Sequence, residues 1–436
     1  MATLFDYLLW RGDLSFRASP FNEVDNLILA ELAFVDFAEI LPSDPSASMT
    51  LRDAAEIYFS AERETQSALL VPEAVPLLRA AAETERFSSL YLCGFERRTD
   101  AQCEAQFAAI TFLLPDGEMF IAFRGTDDSL VGWKEDFNMA FLSVIPSQSS
   151  AMLYVDRMAA TYPAYRIRIG GHSKGGNLAV YSAAKCASVH RERIIRVYNN
   201  DGPGFSRAFL DSEGYTAIKD RIHTILPETS VVGMLLEQEG PYTVIKSRQN
   251  GIFQHDAFSW EVEGRSFIRV EDRSEGSKIL DRTFKAWIAA FTEEEREEFV
   301  DTVYQLISSA TDAETLPELL LDREAPIRLL KHLTPERRDT IAKMLRVLIR
   351  EGRRAYKEGK LHKNGEKESL GEEPSDTGGD APPEVQDNAP SGHRAKPKKI
   401  GESIPALSIR FKTVTPERPT KEEQEENPPY HEEDLY

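Results

Sequence analysis

A serine flanked by glycines stands at the centre of GGHSKGGN, residues 170–177. Gly171 and Gly175 lie two positions before and two positions after Ser173, which makes the pattern G-x-S-x-G. YRIRI, typical of a strand, precedes it, and LAVYSAAKCASV, typical of an apolar helix, follows it. A serine at such a sharp strand-to-helix turn exposes its hydroxyl, and the N–H of Lys174 lies at a helix N-terminus, where it can stabilise an oxyanion. An incidental serine in a Gly-rich turn would not need this context, so we predict a nucleophile.

A serine hydroxyl is a weak nucleophile until a base accepts its proton. His255, in GIFQHDAFSWEV, lies in a predicted loop just before a strand-like stretch and is the predicted base. His190 follows the Ser173 helix too closely, and His223 lies inside the strand pattern RIHTIL. The remaining histidines after Ser173 belong to a helical region or to the tail: His332, His362, His393 and His431.

The base needs an acid that orients it, and two carboxylates qualify. Asp201 ends the strand pattern IIRVYNN and opens the turn DGPGF, so it lies at the carboxyl edge of the predicted sheet. Glu228, in LPETSVVG after the next strand pattern, has a similar position and is the alternative acid. Asp-Gly is also a common pair in ordinary turns, so the alternative is that Asp201 serves only the turn. Both fit the chain order Ser, acid, His. We predict Asp201 as the acid, since the Gly-Pro-Gly turn that follows it at the sheet edge aims its carboxylate into the site.

Alternating strand and helix patterns surround these residues. FAAITFLL and EMFIAFRG, separated by PDG, predict a hairpin. Further strands are predicted in YRIRIGG, IIRVYNN, RIHTILP and YTVIKS, with helices in SAMLYVDRMAATYP and NLAVYSAAKCASV. This order predicts a mostly parallel sheet of the α/β class with helices on both faces, whose strand carboxyl ends form the ligand site. Arg166 and Arg168 do not fit, because a central parallel strand is usually apolar on both faces.

Composition excludes several classes of protein. The net charge of −20 argues against a nucleic-acid partner. The sequence contains no run of about 18 apolar residues, so it predicts no transmembrane segment. The N-terminus lacks the features of a signal peptide. The three cysteines fit no metal spacing and indicate reduced thiols in the cytoplasm: Cys93, Cys103 and Cys186. We expect neither a metal nor a cofactor.

Three regions differ in composition. Residues 1–270 carry the strand and helix patterns of the catalytic domain, and residues 271–358 are predicted to be helical. Thr292 and Glu295 form a capping-box pattern, and Thr334 precedes a proline suited to a first helical turn. Residues 359–436 are acidic and proline-rich, which predicts a disordered tail and allows it a protein partner.

The motifs together resemble a known family. MFIAFRGTDD, GWKEDF, GGHSKGGN and FQHDAFSW are similar to class 3 lipases, the fungal triacylglycerol lipase type of α/β-hydrolase. With SPFNEVDNLILAELAFVDF near the start, residues 15–265 most resemble a bacterial lipase-like (Mbeg-like) family described only as a domain of unknown function. The resemblance implies oxyanion donors at Thr126 and at the Lys174 backbone, with His255 as the base. Ser230 stands where class 3 lipases carry their acid, whereas Asp201 resembles the acid of pancreatic-type lipases, one strand earlier.

The segment after Thr126 occupies the place of the lid in class 3 lipases. Its large apolar side chains would form either an apolar cover or ordinary core: Trp133, Phe137, Met139, Phe141 and Leu142.

These expectations define two hypotheses. The first is a serine hydrolase that cleaves a carboxylic ester through an acyl-enzyme; the resemblance alone suggests a small-molecule or lipid ester substrate. The second is a catalytically silent α/β-hydrolase fold that serves as a binding or scaffold module. The absence of an acid at position 230 and the long C-terminal addition keep the second hypothesis open.

Overall fold

An eight-stranded sheet forms the centre of the computed structural model, which describes residues 2–60, 71–100, 102–103, 105–127, 129–139, 144–310 and 334–369. Its strands lie side by side in chain order. β1 to β4 pair antiparallel, and β4 to β8 pair parallel. The strands are β1 (Ser48–Thr50), β2 (Tyr91–Asp100), β3 (Ala105–Leu114), β4 (Glu118–Phe123), β5 (Arg166–His172), β6 (Ile194–Asn200), β7 (Ile222–Pro227) and β8 (Tyr242–Ile245). The predicted hairpin is β3 and β4, and the four further predicted strands are confirmed as β5 to β8.

Helices cover both faces of this sheet. They are α1 (Leu4–Arg11), α2 (Glu23–Leu32), α3 (Leu51–Ser60), α4 (Ala74–Ala82), α5 (Glu85–Ser88), α6 (Leu130–Asn138), α7 (Pro146–Thr161), α8 (Lys174–Lys185), α9 (Ser188–Arg191), α10 (Arg207–Leu210), α11 (Glu213–Ile218), α12 (Glu275–Ala289), α13 (Glu293–Ala310) and α14 (Pro335–Ser369). Alternation along β4 shows the two faces: Phe120 belongs to the buried cluster that includes α2 and α4, whereas Ile121 belongs to the cluster that includes α7 and α8. The predicted α/β-hydrolase-type fold, a mostly parallel sheet between helical layers, is confirmed.

The two arginines that do not fit the apolar pattern of a buried strand lie at the start of β5, away from Ser173. Arg166 and Arg168 both pair with the carboxylate of Glu118 at the start of β4, at 2.5 Å and 2.6 Å. The Arg168 guanidinium also lies 5.1 Å from the centre of the Phe21 ring. At this end of the sheet the arginines therefore have ionic and aromatic partners. The expectation that a central parallel strand is apolar on both faces holds only further along β5.

Among the residues that the structure describes, three long helices follow the sheet. The predicted capping box begins α13, because Thr292 and Glu295 exchange backbone-to-side-chain hydrogen bonds of 3.0 Å and 3.2 Å. α14 begins at Pro335, as predicted, and continues to Ser369, past the expected boundary at residue 358. The rest of the predicted tail lies outside the described residues. Within the described ranges no helix has the length and hydropathy to cross a bilayer.

Helix α2 is buried on every side although it contains four polar or charged residues: Glu23, Asp25, Asn26 and Glu31. Each has a partner in the core. Asp25 forms a bidentate pair with Arg86 at 2.7 Å and 2.5 Å. Asn26 and Asn200 exchange side-chain hydrogen bonds, and Asn200 also donates to the carbonyl of Gly171 at 3.0 Å. Helix α2 is thus joined, through Asn200 of β6, to the strand that leads to Ser173.

Candidate active site

Ser173 occupies a strained turn between β5 and α8. Its φ of 57° and ψ of −131° lie in a region that residues with a Cβ seldom adopt, at a cost of about 1–3 kcal/mol. The flanking glycines make the turn possible: a Cβ on Gly171 would lie 2.3 Å from the carbonyl carbon of Gly175, and one on Gly175 would lie 2.1 Å from the carbonyl oxygen of Phe123. Strand and helix therefore approach closely enough to hold the serine at the edge of the sheet.

The structure brings Ser173, His255 and Asp201 together in one chain of hydrogen bonds. His255 Nε2 lies 2.9 Å from Ser173 Oγ, and His255 Nδ1 lies 2.7 Å from Asp201 Oδ2. Because a carboxylate only accepts, Nδ1 carries the proton, which leaves Nε2 to accept the proton of the serine hydroxyl. Asp201 is fully buried, whereas the His255 side chain is 25% exposed and therefore open to a substrate.

The carboxylate of Asp201 is held from its other side. Asp201 has a φ of 51°, which turns the chain sharply after β6. Ser230 Oγ donates to Asp201 Oδ1 at 2.5 Å. Ser230 stands at the position that the class 3 resemblance gives to the acid, and here its hydroxyl supports the carboxylate of Asp201, one strand earlier. The backbone N–H of Glu228, the alternative acid, donates to the carbonyl of Ile245 at the end of β8. No described contact joins the Glu228 carboxylate to His255.

The loop after β4 brings Thr126 close to Ser173. A Cβ on Gly125 would lie 2.8 Å from the carbonyl oxygen of His172 and 3.3 Å from Ser173 Cβ, which shows how closely the loop passes. Lys174 is the first residue of α8, so its backbone N–H is one of the free donors at the helix start. The hydroxyl of Thr126 donates to Asp136 Oδ2 at 2.5 Å, which orients Thr126 from behind.

The side chain of Lys174 has a structural role that the motif does not indicate. It is 1% exposed, and Nζ donates to Gln106 Oε1 at 2.6 Å and lies 3.0 Å from Glu135 Oε2. Glu135 is fully buried and also accepts from the backbone N–H and hydroxyl of Ser147. This network fastens α6, and with it Asp136 and Thr126, to α8, which begins directly after Ser173. The adjacent acids in GWKEDF were the available signal for it.

Asp136 is partly buried beside this network, with its side chain 30% exposed. Burial raises the pKa of Asp136 to about 6, against the lowering effects of Lys174 and the Thr126 hydroxyl. The ordinary aspartate pKa is about 3.9. Since the folded state holds this proton more tightly than the unfolded state, the ionised carboxylate costs stability above pH 6. That cost falls away as the pH decreases from 6 towards 4.

Replacing Asp136 by asparagine is therefore expected to stabilise the protein at pH 7.5 and to stabilise it much less at pH 4.5. A pKa difference of this size is worth at most about 3 kcal/mol, and partial exposure reduces the expected gain to about 1–2 kcal/mol. Urea unfolding at the two pH values measures it, with exposed Asp53→Asn as the matched control. An equal gain at both pH values would contradict the explanation.

A second histidine, His172, supports the first from within the core. It is 6% exposed, and its Nε2–H donates to the backbone carbonyl of His255 at 2.9 Å. Its Nδ1 lies 3.0 Å from a carboxylate oxygen of Glu31, itself 1% exposed, on α2. Burial acts to lower the pKa of His172, but the carboxylates of Glu31 and Asp201 and the backbone carbonyl of His255 together outweigh it and hold that pKa above its ordinary value.

Neither His172 nor Glu31 was predicted from the sequence. His172 was read only as part of the G-x-S-x-G motif, and Glu31 lies 141 positions earlier in the chain. One signal was present in LAELAFV, residues 29–35, where Glu31 alone interrupts an otherwise apolar stretch. A buried acid of this kind needs a partner, although the sequence does not say which.

The predicted cover is described only in part. Met139, at the end of α6, is buried; the side chains of Trp133 and Phe137, and residues 141 and 142, lie outside what the structure describes. Helix α13 packs against α6: Lys134 Nζ lies 2.9 Å from Asp301 Oδ1 and 4.6 Å from the centre of the Tyr304 ring. The helical region therefore contacts the segment that follows the Thr126 loop.

Comparison with known proteins gives one family and several solved structures. The Mbeg1-like family model matches residues 81–305, more than half of the chain. Rhizomucor miehei lipase in its propeptide complex is 18% identical, with a TM-score of 0.28, over 38% of this chain and 58% of that one. A deletion mutant of that complex is 13% identical, with a TM-score of 0.32, over 55% and 93%.

A third solved structure, M37 lipase, is 16% identical, with a TM-score of 0.30, over 48% of this chain and 68% of that one. This chain thus spans less than two thirds of the first of these lipase structures. No curated protein sequence matches it.

Proposed function

Because the chain belongs to the Mbeg1-like family and has an α/β-hydrolase-type fold, we propose that it is a serine hydrolase that cleaves a carboxylic ester through an acyl-enzyme. One observation carries the proposal: a serine at positive φ shares a hydrogen-bond chain with a histidine and a buried aspartate. A structural turn has no need of a backbone strained at the serine and of a histidine held in one tautomer. The order Ser173, Asp201, His255 is that of α/β-hydrolases.

In the proposed reaction, Ser173 Oγ attacks the ester carbonyl while its proton passes to His255 Nε2. The imidazolium so formed donates through Nδ1 to Asp201, whose charge Ser230 stabilises by its own hydrogen bond. Nε2 then protonates the departing alkoxide, which leaves the acyl group on Ser173. Water, deprotonated by the same nitrogen, attacks the acyl-enzyme, and Ser173 recovers its proton as the acid is released.

The negative oxygen of the tetrahedral intermediate needs preorganised donors. We assign the backbone N–H of Lys174, at the start of α8, as the first donor. Thr126 supplies the second. Since the Thr126 hydroxyl already donates a hydrogen bond to Asp136, we assign the backbone N–H of Thr126 as the donor, and the Asp136 bond serves to hold the loop. A lipid or other acyl ester is the proposed substrate class, in keeping with the resemblance to class 3 lipases.

An activated Ser173 should react with a fluorophosphonate, forming a phosphonate ester as fluoride leaves. We expect a single adduct on the peptide that contains Ser173 when the native protein is treated near neutral pH. Intact mass and peptide mapping measure it. The same protein should hydrolyse short p-nitrophenyl esters.

The matched control for this labelling is Ser173→Ala, which keeps the fold and removes only the hydroxyl. It should lose both the adduct and the esterase rate. If native protein and Ser173→Ala behave alike in both assays, the enzyme proposal fails, and the silent binding or scaffold module becomes the better description.

A further inference from the structure

The exposed side of α14 carries an apolar stripe. Leu345, Ile349 and Tyr356 are 49%, 55% and 45% exposed, unusually open for large apolar residues. At 3.6 residues per turn, these positions lie within about 40° of one another around the helix axis. They therefore form one apolar stripe along the exposed side of the helix.

Basic side chains run beside this stripe. They line a shallow groove of about 650 Å³ next to Ile349: Arg346, Arg350, Arg353, Arg354 and Lys357. Arg350 and Arg354 pair with Glu351 and Glu358 on the same helix. Arg346, Arg353 and Lys357 have no carboxylate partner among the described residues. This concentration of positive charge occurs in a chain whose net charge is −20.

The opposite side of α14 packs against the protein. Met344 and Ala355 are buried, and the carbonyl of Met344 accepts a 3.0 Å hydrogen bond from the indole of Trp287 on α12. Helix α12 is joined to the proposed active site, because the hydroxyl of Ser277 donates to the carbonyl of Ser230 at 2.7 Å. The apolar stripe and the basic row thus lie on the outer side of α14. The inner side of α14 packs against α12, which contacts Ser230 behind the proposed triad.

We propose that this face of α14 binds the surface of a lipid bilayer that contains anionic headgroups. An apolar stripe beside a row of arginine and lysine is the pattern of a helix that lies in the plane of a membrane interface. Such side chains place their aliphatic stems along the apolar boundary and their charges among the headgroups. Charges beyond about 8 Å are screened at physiological ionic strength, so the local charge governs binding, not the net charge.

Other polyanions fit the face less well. A nucleic acid would engage the basic row but would leave the apolar stripe unused. The acidic segment EEQEEN of this chain, residues 422–427, is a second possible occupant, and the experiment below distinguishes it from lipid. The proposal does not depend on ester hydrolysis, because it concerns binding by a surface outside the proposed triad.

The test is sedimentation of the full-length Ser173→Ala chain with vesicles, so that lipid cannot be consumed. One set of vesicles is phosphatidylcholine alone, and the other is equal parts phosphatidylcholine and phosphatidylserine. We expect binding to the anionic vesicles only, weakened by high salt. Removing the three unpaired charges (Arg346→Gln, Arg353→Gln and Lys357→Gln) should weaken binding about a hundredfold, since each contributes roughly fivefold near an anionic surface.

The matched control removes three exposed charges elsewhere: Arg17→Gln, Lys219→Gln and Arg265→Gln. It should change binding by less than about threefold, because distant charges are screened. A second variant, Leu345→Ser with Ile349→Ser, should weaken binding by about tenfold or more, since two apolar side chains no longer enter the interface. Circular dichroism checks that every variant keeps its helix content.

Three outcomes would overturn the proposal. The first is that the full-length chain fails to bind anionic vesicles. The second is that the control triple variant loses as much affinity as the α14 variant, which would make net charge the cause. The third is that binding appears only after Glu422, Glu423, Glu425 and Glu426 are replaced by glutamine, which would identify the acidic segment as the occupant.

Discussion

Replacing Asp201 by asparagine is expected to lower kcat for ester hydrolysis by between about 10² and 10⁴, with the protein still folded. Asparagine fits the same space but presents an amide, whose N–H can face His255 Nδ1 in place of an acceptor. The imidazole then carries its proton on Nε2, which can no longer accept the proton of Ser173. A loss of 10² corresponds to about 2.7 kcal/mol of barrier.

Steady-state kinetics with a short p-nitrophenyl ester measures this loss, and Glu228→Gln is the matched control. Glu228 lies at the end of the next strand but has no described contact with His255, so its replacement should cost less than about tenfold, or 1.4 kcal/mol. The reverse ranking would move the acid to Glu228. If neither change matters while Ser173→Ala is inactive, the site works as a dyad and Asp201 has no catalytic role.

Replacing His172 by leucine is expected to lower kcat about 10²-fold while KM changes little. Leucine fills the space but removes the N–H that holds the His255 carbonyl at 2.9 Å, and it leaves the buried Glu31 without its partner. The His255 loop then loses its anchor to the core. A displacement of about 1 Å in a catalytic group is enough to cost about 10² in rate.

The variant His172→Gln separates this positioning role from simple core packing. Its amide can still donate to the His255 carbonyl, so it should recover at least about tenfold of the lost rate. Thermal midpoints are measured in parallel, because the unpaired Glu31 is expected to destabilise the leucine variant. Equal rates for the leucine and glutamine variants, or a change in KM alone, would show that His172 does not position His255.

Local sequence patterns predicted much of the fold. The turn residues PDG between two apolar runs predicted β3 and β4, and the strand and helix patterns that follow predicted β5 to β8 with their covering helices. β1 and β2 were not predicted. β2, which ends in the polar run ERRTD, loses its apolar character along its length because its last residues are exposed.

The acid of the proposed triad shows where the sequence leaves a choice open. Asp201 and Glu228 both follow strands that end at the same edge of the sheet, so spacing along the chain treats them alike. The structure places Asp201 against His255 because the chain turns at positive φ directly after β6. Ser230, which reads as a missing acid, contacts Asp201 from the neighbouring loop.

The sequence by itself determined the elbow, since Gly171 and Gly175 lie either side of the serine and must approach each other across one tight turn. The tertiary structure adds a second reason for Gly175, because the carbonyl of Phe123 on β4 lies directly beside it. It also determined the candidate base by elimination among few histidines. Only the tertiary structure decided how His255 is supported: by His172 and Glu31 from within the core, and by Asp201 from the loop after β6. These contacts join residues 54 to 174 positions apart, counting the Asn26–Asn200 link behind the elbow. They depend on how helices and strands pack, which no local pattern encodes.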